Sequence, residues 1–263
     1  MTTAALIDAV NQQTMRASVA TYSGFETLGP PEQNALEQAT PYVRGGRILD
    51  IGVGGGRTVA ALKEISQDYI GVDYVGEMVN ACRTKYPDTQ FQHADARSMP
   101  QFADATFDLI VFAWAGICMV DQAGRLEILK EVRRLLKPGG FFLFSSYNIN
   151  SPDANGTFAI EPIEWTTNPI KMTSHLIDWV GCIIRSSLNR RRLRHLEIRT
   201  PEYAMINDRC HDYSTMLYYI SLANQNAQLR RLGFSNEVVA YDGLGNEILT
   251  DTEDGAITYL VKG

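Results

Sequence analysis

A short apolar run, met at once by glycines and then by helical spacing, constrains this chain more than any other local pattern. Arg47-Ile48-Leu49-Asp50-Ile51 reads as a strand, Gly52-Val53-Gly54-Gly55-Gly56 as a turn, and Val59, Leu62 and Ile65 as one face of a helix. The rhythm then repeats. Tyr69 to Val72 is a strand ending at Asp73, a helix runs through Met78 and Cys82, and a third strand around Phe91 ends at Asp95. Phe107 to Ala113 is apolar apart from Asp108, as a parallel strand covered on both faces should be. Asp121 is placed to cap a helix through Leu126, Leu129, Val132, Leu135 and Leu136, which Lys137-Pro138-Gly139-Gly140 stops before strand five, Phe141 to Ser146. Alternation of this kind predicts an open, doubly wound α/β sheet.

The flanks are less regular. Residues 1–41 read as a helical leader broken at Gly29-Pro30-Pro31, with a helix from Glu32. Residues 42–147 form the core, residues 148–213 a cap with structure of its own, and residues 214–263 the remainder of the core. In that last part the spacing predicts a helix over Met216 to Leu232, stopped by Gly233, and two strands, Glu237 to Tyr241 and Ala256 to Val261.

Ligands of open parallel sheets bind outside the carboxyl ends of the strands. Asp50, the glycines, Asp73 and Asp95 all fall there. Consecutive glycines let backbone approach a ligand closely, and the helix that follows offers free N–H groups to an anion. Asp73 stands 21 residues after Gly52, an interval suited to accepting bonds from both hydroxyls of a ribose. A dinucleotide fingerprint fails at its last position, where Arg57 replaces the glycine or alanine that close helix packing needs. Asp50 would repel a pyrophosphate but favour an ammonium group. A nucleoside with a zwitterionic amino-acid tail satisfies both ends.

The string RILDIGVGGGRT resembles the first motif of class I S-adenosylmethionine-dependent methyltransferases, and YIGVDYVGEMV, HADARSMP, FDLIVFAW and LKPGGFFLFS resemble that family's later landmarks. The likeness is strong over about residues 42–147 and weaker in QLRRLGF and the final strands. It implies a Rossmann-like, mostly parallel seven-stranded sheet, with a largely helical cap after strand five and S-adenosyl-L-methionine as cofactor. By the same resemblance Asp50, Gly52 and Gly54 hold the methionine moiety, Asp73 the ribose, and Asp95 with Ala96 the adenine, on which Met78 packs. Arg57 is a candidate partner for the cofactor carboxylate, and Tyr22 for closing over the cofactor; Glu32 reads as packing of the leader.

Methyl transfer is an in-line displacement, so catalysis is largely positioning, with a base required only if the acceptor must lose a proton. No N-P-P-Y type tetrad follows strand four, where Phe112-Ala113-Trp114-Ala115-Gly116 stands, which speaks against DNA adenine or protein glutamine as substrate. Trp114 and Trp179 are candidate pocket walls. His211, where the cap rejoins the core, is the first choice for a base, followed by His175, with Tyr213 as a substrate-orienting candidate; His93 and His195 read as structural.

A net charge of −6 makes nucleic acid a minority reading. Six arginines against one acid between Arg185 and Arg199, after the apolar Leu176 to Ile184, make peripheral membrane contact a second minority reading. Cys82, Cys118, Cys182 and Cys210 form neither a metal-ligand cluster nor a disulfide framework, and no apolar run is long enough to span a bilayer. The expectation is therefore a cytoplasmic enzyme without a metal that methylates an O, N or C atom of a small-molecule metabolite. Its rivals are a methyltransferase of RNA or protein that uses the basic cap, and a non-catalytic binding protein.

Overall fold

The computed structural model describes residues 2–263. Three helices lead in: α1 (Thr3–Ala17), α2 (Val19–Ser23) and α3 (Pro30–Val43). The predicted alternation follows as β1 (Ile48–Ile51), α4 (Val59–Ile65), β2 (Tyr69–Asp73), α5 (Gly76–Lys85), β3 (Gln90–His93), β4 (Phe107–Phe112), α6 (Gln122–Leu135) and β5 (Leu136–Asn148). Asp121 caps α6, accepting from the Gly124 N–H at 2.9 Å.

Side chains on a strand alternate between faces, so each strand of this sheet feeds two cores. Leu49 and Ile51 of β1 pack with Ile7 and Val10 of α1 and with Ile128 and Leu129 of α6. Ile48 faces the other way, toward Leu36 of α3, Leu62 of α4 and Val79 of α5. The helices thus lie on both faces, which makes the sheet doubly wound.

Beyond β5 come a 25-residue helix, α7 (Pro169–Leu193), and then β6 (Ile198–Arg199), β7 (Tyr203–Asn207), β8 (Met216–Ile220), α8 (Leu222–Arg231), β9 (Val238–Tyr241), β10 (Glu247–Ile248) and β11 (Ala256–Lys262). The order is β10-β9-β11-β5-β4-β1-β2-β3, and β8, β7 and β6 branch from the far end of β5. The five strands β3, β2, β1, β4 and β5 are parallel, whereas β11 runs antiparallel between β5 and β9.

Two expectations change. Among the described residues the sheet has 11 strands, not seven. The segment expected to be one helix from Met216 to Leu232 is a strand followed by a helix, because Met216–Ile220 is buried throughout and Ser221 caps α8 by accepting from the Asn224 N–H. A short run of five apolar residues has no period that separates strand from helix. The cap is accordingly less helical than the resemblance implies, since β6 and β7 continue the main sheet through β8. Among the described residues no helix is long and apolar enough to cross a membrane.

Candidate active site

At the carboxyl ends of β1, β2 and β4 a crevice opens, lined by Gly52 to Gly55, Asp73, Met78, Asp95 and Ala96, and also by Tyr22, Arg57, Trp114, Tyr147 and His211. The glycine loop explains the approach of these walls. Gly52 has φ +64°, and a Cβ there would stand 2.6 Å from the Phe112 ring. A Cβ on Gly55 would lie 2.3 Å from the Tyr22 carbonyl oxygen, so only glycine lets α2 lie on the loop.

Asp73 holds that loop in place. Its Oδ2 accepts from the Gly54 N–H at 2.9 Å, and its Oδ1 accepts from the Val75 N–H at 2.8 Å. Burial pushes its carboxyl up to about 6, against the opposing pull of those N–H groups. Asp95 is gripped by Arg97, whose guanidinium also reaches Asp8 of α1. The leader helix is thereby tied to the crevice, and Asn11 adds to the tie by donating to the Met119 and Met216 carbonyls at 2.7 and 2.8 Å.

Asp50 does not line the crevice. Because it shares the face of β1 that carries Ile48, it points beneath the loop, where Oδ2 accepts from Thr58 Oγ1 at 2.5 Å and Tyr69 OH at 2.7 Å. Burial raises it to about 6 as well. Arg57 does line the crevice, yet both its terminal nitrogens donate to Glu32 at 2.6 Å, and its guanidinium lies 4.7 Å from the Trp114 ring. Glu32, read from sequence as packing, is thus the ion-pair partner of Arg57.

Over the crevice sits an aromatic roof. Phe25 meets Trp114 edge-on at 4.7 Å and Tyr22 meets it at 5.6 Å. Trp114 and Ala115 both have left-handed backbone, φ 52° and 55°, fixed by the bond from the Ala115 N–H to Ser145 Oγ at 2.7 Å. His211 faces this roof with Nε2 3.1 Å from the Tyr22 hydroxyl. Burial holds the imidazole below its ordinary range, opposed by Asp212 and Asp208, and pushes the Tyr22 hydroxyl up to about 12. His211, Asp212 and Tyr213 are three consecutive left-handed residues, φ 50°, 53° and 59°, a strained corner that aims the ring inward.

The other sequence candidates are not brought here. His175 bonds through Nδ1 to the Glu164 carbonyl at 2.9 Å, and Trp179 donates to the Glu161 carbonyl at 3.0 Å. Both pin the extended chain before α7 rather than facing the crevice. Tyr213 is buried, and its hydroxyl accepts from the Ala159 N–H at 2.8 Å. Sequence reasoning missed Asp8, Met15 and Tyr147 as lining residues; the apolar spacing of Ile7, Val10 and Met15 was the available sign that α1 docks on the core.

A methyltransferase-domain family model matches residues 48–140. An uncharacterized methyltransferase of Bacillus subtilis, YcgJ, is 36% identical over 102 residues, 37% of this chain and 39% of that protein. The ubiquinone/menaquinone biosynthesis C-methyltransferase UbiE of Geotalea daltonii is 37% identical over 108 residues, 38% of this chain and 44% of its own length. The chain thus spans about two fifths of the curated relatives it matches. An S-adenosylmethionine-dependent methyltransferase structure from Clostridium acetobutylicum shares the fold, with TM-score 0.59, 15% identity and coverage of 89% of this chain and 90% of that one. Residues 48–140 thus match a methyltransferase domain, and the fold is shared with S-adenosylmethionine-dependent methyltransferase structures.

The crevice suits that family's cofactor. Asp73 is a desolvated carboxylate at the rim, to which hydroxyl donors would restore the bonds that water no longer supplies. Beside it Met78 and Ala96 offer apolar surface, and Gly52 and Gly54 have the left-handed backbone of a cradle.

Proposed function

We propose that this protein transfers a methyl group, by in-line displacement, to an oxygen, nitrogen or carbon atom of a small molecule held between the glycine loop and the Tyr22–His211 pair. The observation that carries this reading is one crevice lined both by the glycine loop and carboxylates at the strand ends and by the aromatic rings of Tyr22 and Trp114 with the imidazole of His211. S-Adenosyl-L-methionine, when bound, supplies an electrophilic methyl group. On the sheet side Asp73 would accept from the ribose hydroxyls, Asp95 and Ala96 would meet the adenine, and Met78 would pack on it. Arg57 is committed to Glu32, so the N–H groups of the loop are better placed for the carboxylate of the amino-acid tail.

On the cap side, burial keeps His211 unprotonated and Tyr22 protonated. The pair can therefore take a proton from an acceptor: the Tyr22 oxygen receives it while the hydroxyl proton passes to His211 Nε2. The roof of Phe25, Tyr22 and Trp114 favours a flat or apolar molecule over a folded macromolecule. The similarity to a quinone-biosynthesis C-methyltransferase, over 38% of this chain, supports a small acceptor.

Calorimetric titration with S-adenosylhomocysteine is expected to give saturable binding, weakened about tenfold or more in Asp73→Ala. Absence of saturation, or binding that Asp73→Ala leaves unchanged, would overturn the reading. Labelled methyl groups are expected to appear in the small-molecule fraction of an extract and not in RNA or protein.

A further inference from the structure

The inner and outer faces of α7 differ sharply. Its inner face bears on the His211 corner: Cys182 Sγ and Arg185 Nε bond to the Asp212 carboxylate, and Asn189 donates to the Asp212 carbonyl. Only Ser186, Arg190 and Leu193 of this helix are buried. Positions 170, 177, 184 and 188 fall on the opposite side of the helical wheel. There Ile170 is 82% exposed, Ile177 66%, Ile184 54% and Leu188 64%. A continuous apolar stripe on a 25-residue helix is therefore turned to the outside with nothing packed on it among the described residues.

Charge identifies what covers it. Arg191 and Arg192 flank the end of the stripe and Arg194 follows; all three are exposed, and none forms an ion pair among the described residues. On α7 the sole acid is Asp178, in a protein whose net charge is −6. Arg191 and Arg194, with Arg190, His195 and Ser187, line a broad open depression beside the helix. Apolar residues along the centre and unpaired guanidiniums at the flank suit acyl chains and acidic headgroups at one boundary. A second copy of the chain fits less well, because two such helices face to face would set Arg191 and Arg192 against Lys171 or against themselves, with no acid on the face to answer them.

We propose that α7 docks this protein on an anionic lipid surface, with Ile170, Ile177, Ile184 and Leu188 entering the boundary and Arg191, Arg192 and Arg194 meeting the headgroups. The docked helix is the one that braces the His211 corner, so the surface lies next to the cap wall of the crevice.

Co-sedimentation with vesicles tests this directly. The full chain is expected to bind phosphatidylglycerol-containing vesicles at low salt, to bind pure phosphatidylcholine far less, and to be released by high salt. Arg191→Ser with Arg192→Ser should weaken binding about 25-fold, from about fivefold per cation. Ile177→Asn with Ile184→Asn should weaken it at least about tenfold. Both pairs are exposed, and Leu249→Asn, at 97% exposure far from α7 in sequence, serves as a control expected to bind like the parent. Inorganic phosphate should not displace the vesicles at matched ionic strength, which separates a lipid surface from a free-phosphate site. No binding to anionic vesicles at low salt would overturn the proposal. So would binding that the isoleucine pair leaves unchanged, a dimer that the same pair dissolves without any vesicle binding, or retention of RNA in place of vesicles.

Discussion

Asp73 holds the glycine loop and, in the proposed function, also receives the ribose, and its protonation links the two. Its carboxyl stands at about 6 through burial, above its ordinary 3.8. Hydroxyl donors favour the ionised form, so ligand binding lowers that value, releases a proton near pH 6 and strengthens as pH rises through it. S-Adenosylhomocysteine should bind about tenfold more weakly at pH 5 than at pH 7 by calorimetry. For the unliganded protein the sign reverses. A carboxyl raised on folding contributes stability in full below 3.8 and loses it as pH rises through about 6, so the free protein should melt higher at pH 5 than at pH 7. Asp73→Asn should remove about half of that slope, since Asp50 is raised to a similar value. For His211 burial lowers the imidazole, so the acidic limb of kcat/KM should lie below the ordinary histidine range. His211→Asn should lower kcat about a hundredfold or more without moving the affinity for S-adenosylhomocysteine. The place of His211 at the crevice was legible in sequence because it stands where the cap rejoins the core. His175 was not distinguishable from it, since spacing in the cap does not tell which backbone carbonyl a ring will meet.

Between elements, the Glu32–Arg57 pair fastens α3 to the end of the glycine loop, just before α4. It is bidentate and nearly buried, with side chains 9% and 10% exposed, and Glu32 also accepts from the Gly29 N–H at the start of its own helix. Glu32→Ala leaves a buried guanidinium without its counter-charge and should cost about 3–5 kcal/mol in a denaturant titration. Arg57→Lys, with Glu32 in place, should keep only part of the pair's contribution, because an ammonium cannot match both carboxylate oxygens at once. This pair explains what sequence could and could not say. Arg57 was visible as a departure from the dinucleotide pattern, but its partner lies 25 residues earlier, a distance no local rule spans. The same holds for Asp50: its place at a strand end was readable, whereas its direction depends on the alternation that starts at Ile48. The element misread, Met216–Ile220, failed for a related reason, since a run buried on every side carries no period.

At the scale of the molecule, the parallel half was legible because each βα unit is written locally; in the antiparallel half the strands Glu237 to Tyr241 and Ala256 to Val261 were legible, but not their pairings, which join distant residues. The register of β11 makes the point: all seven of its residues pair with β5, from Ala256 opposite Tyr147 to Lys262 opposite Phe141, and four of them also pair with β9. A chain cut before Ala256 should therefore not fold cooperatively, which loss of a sharp thermal transition would register. Such long-range pairing also predicts slow folding for a protein of this size. There is a consequence for biosynthesis. Until the ribosome has delivered Ala256–Lys262, the nascent chain must carry β5 with one long side of N–H and C=O groups unanswered, an edge that other strands can join. Translation between β5 and β11 is thus the interval in which a chaperone matters most, and rare codons placed there should lower soluble yield more than the same codons placed earlier.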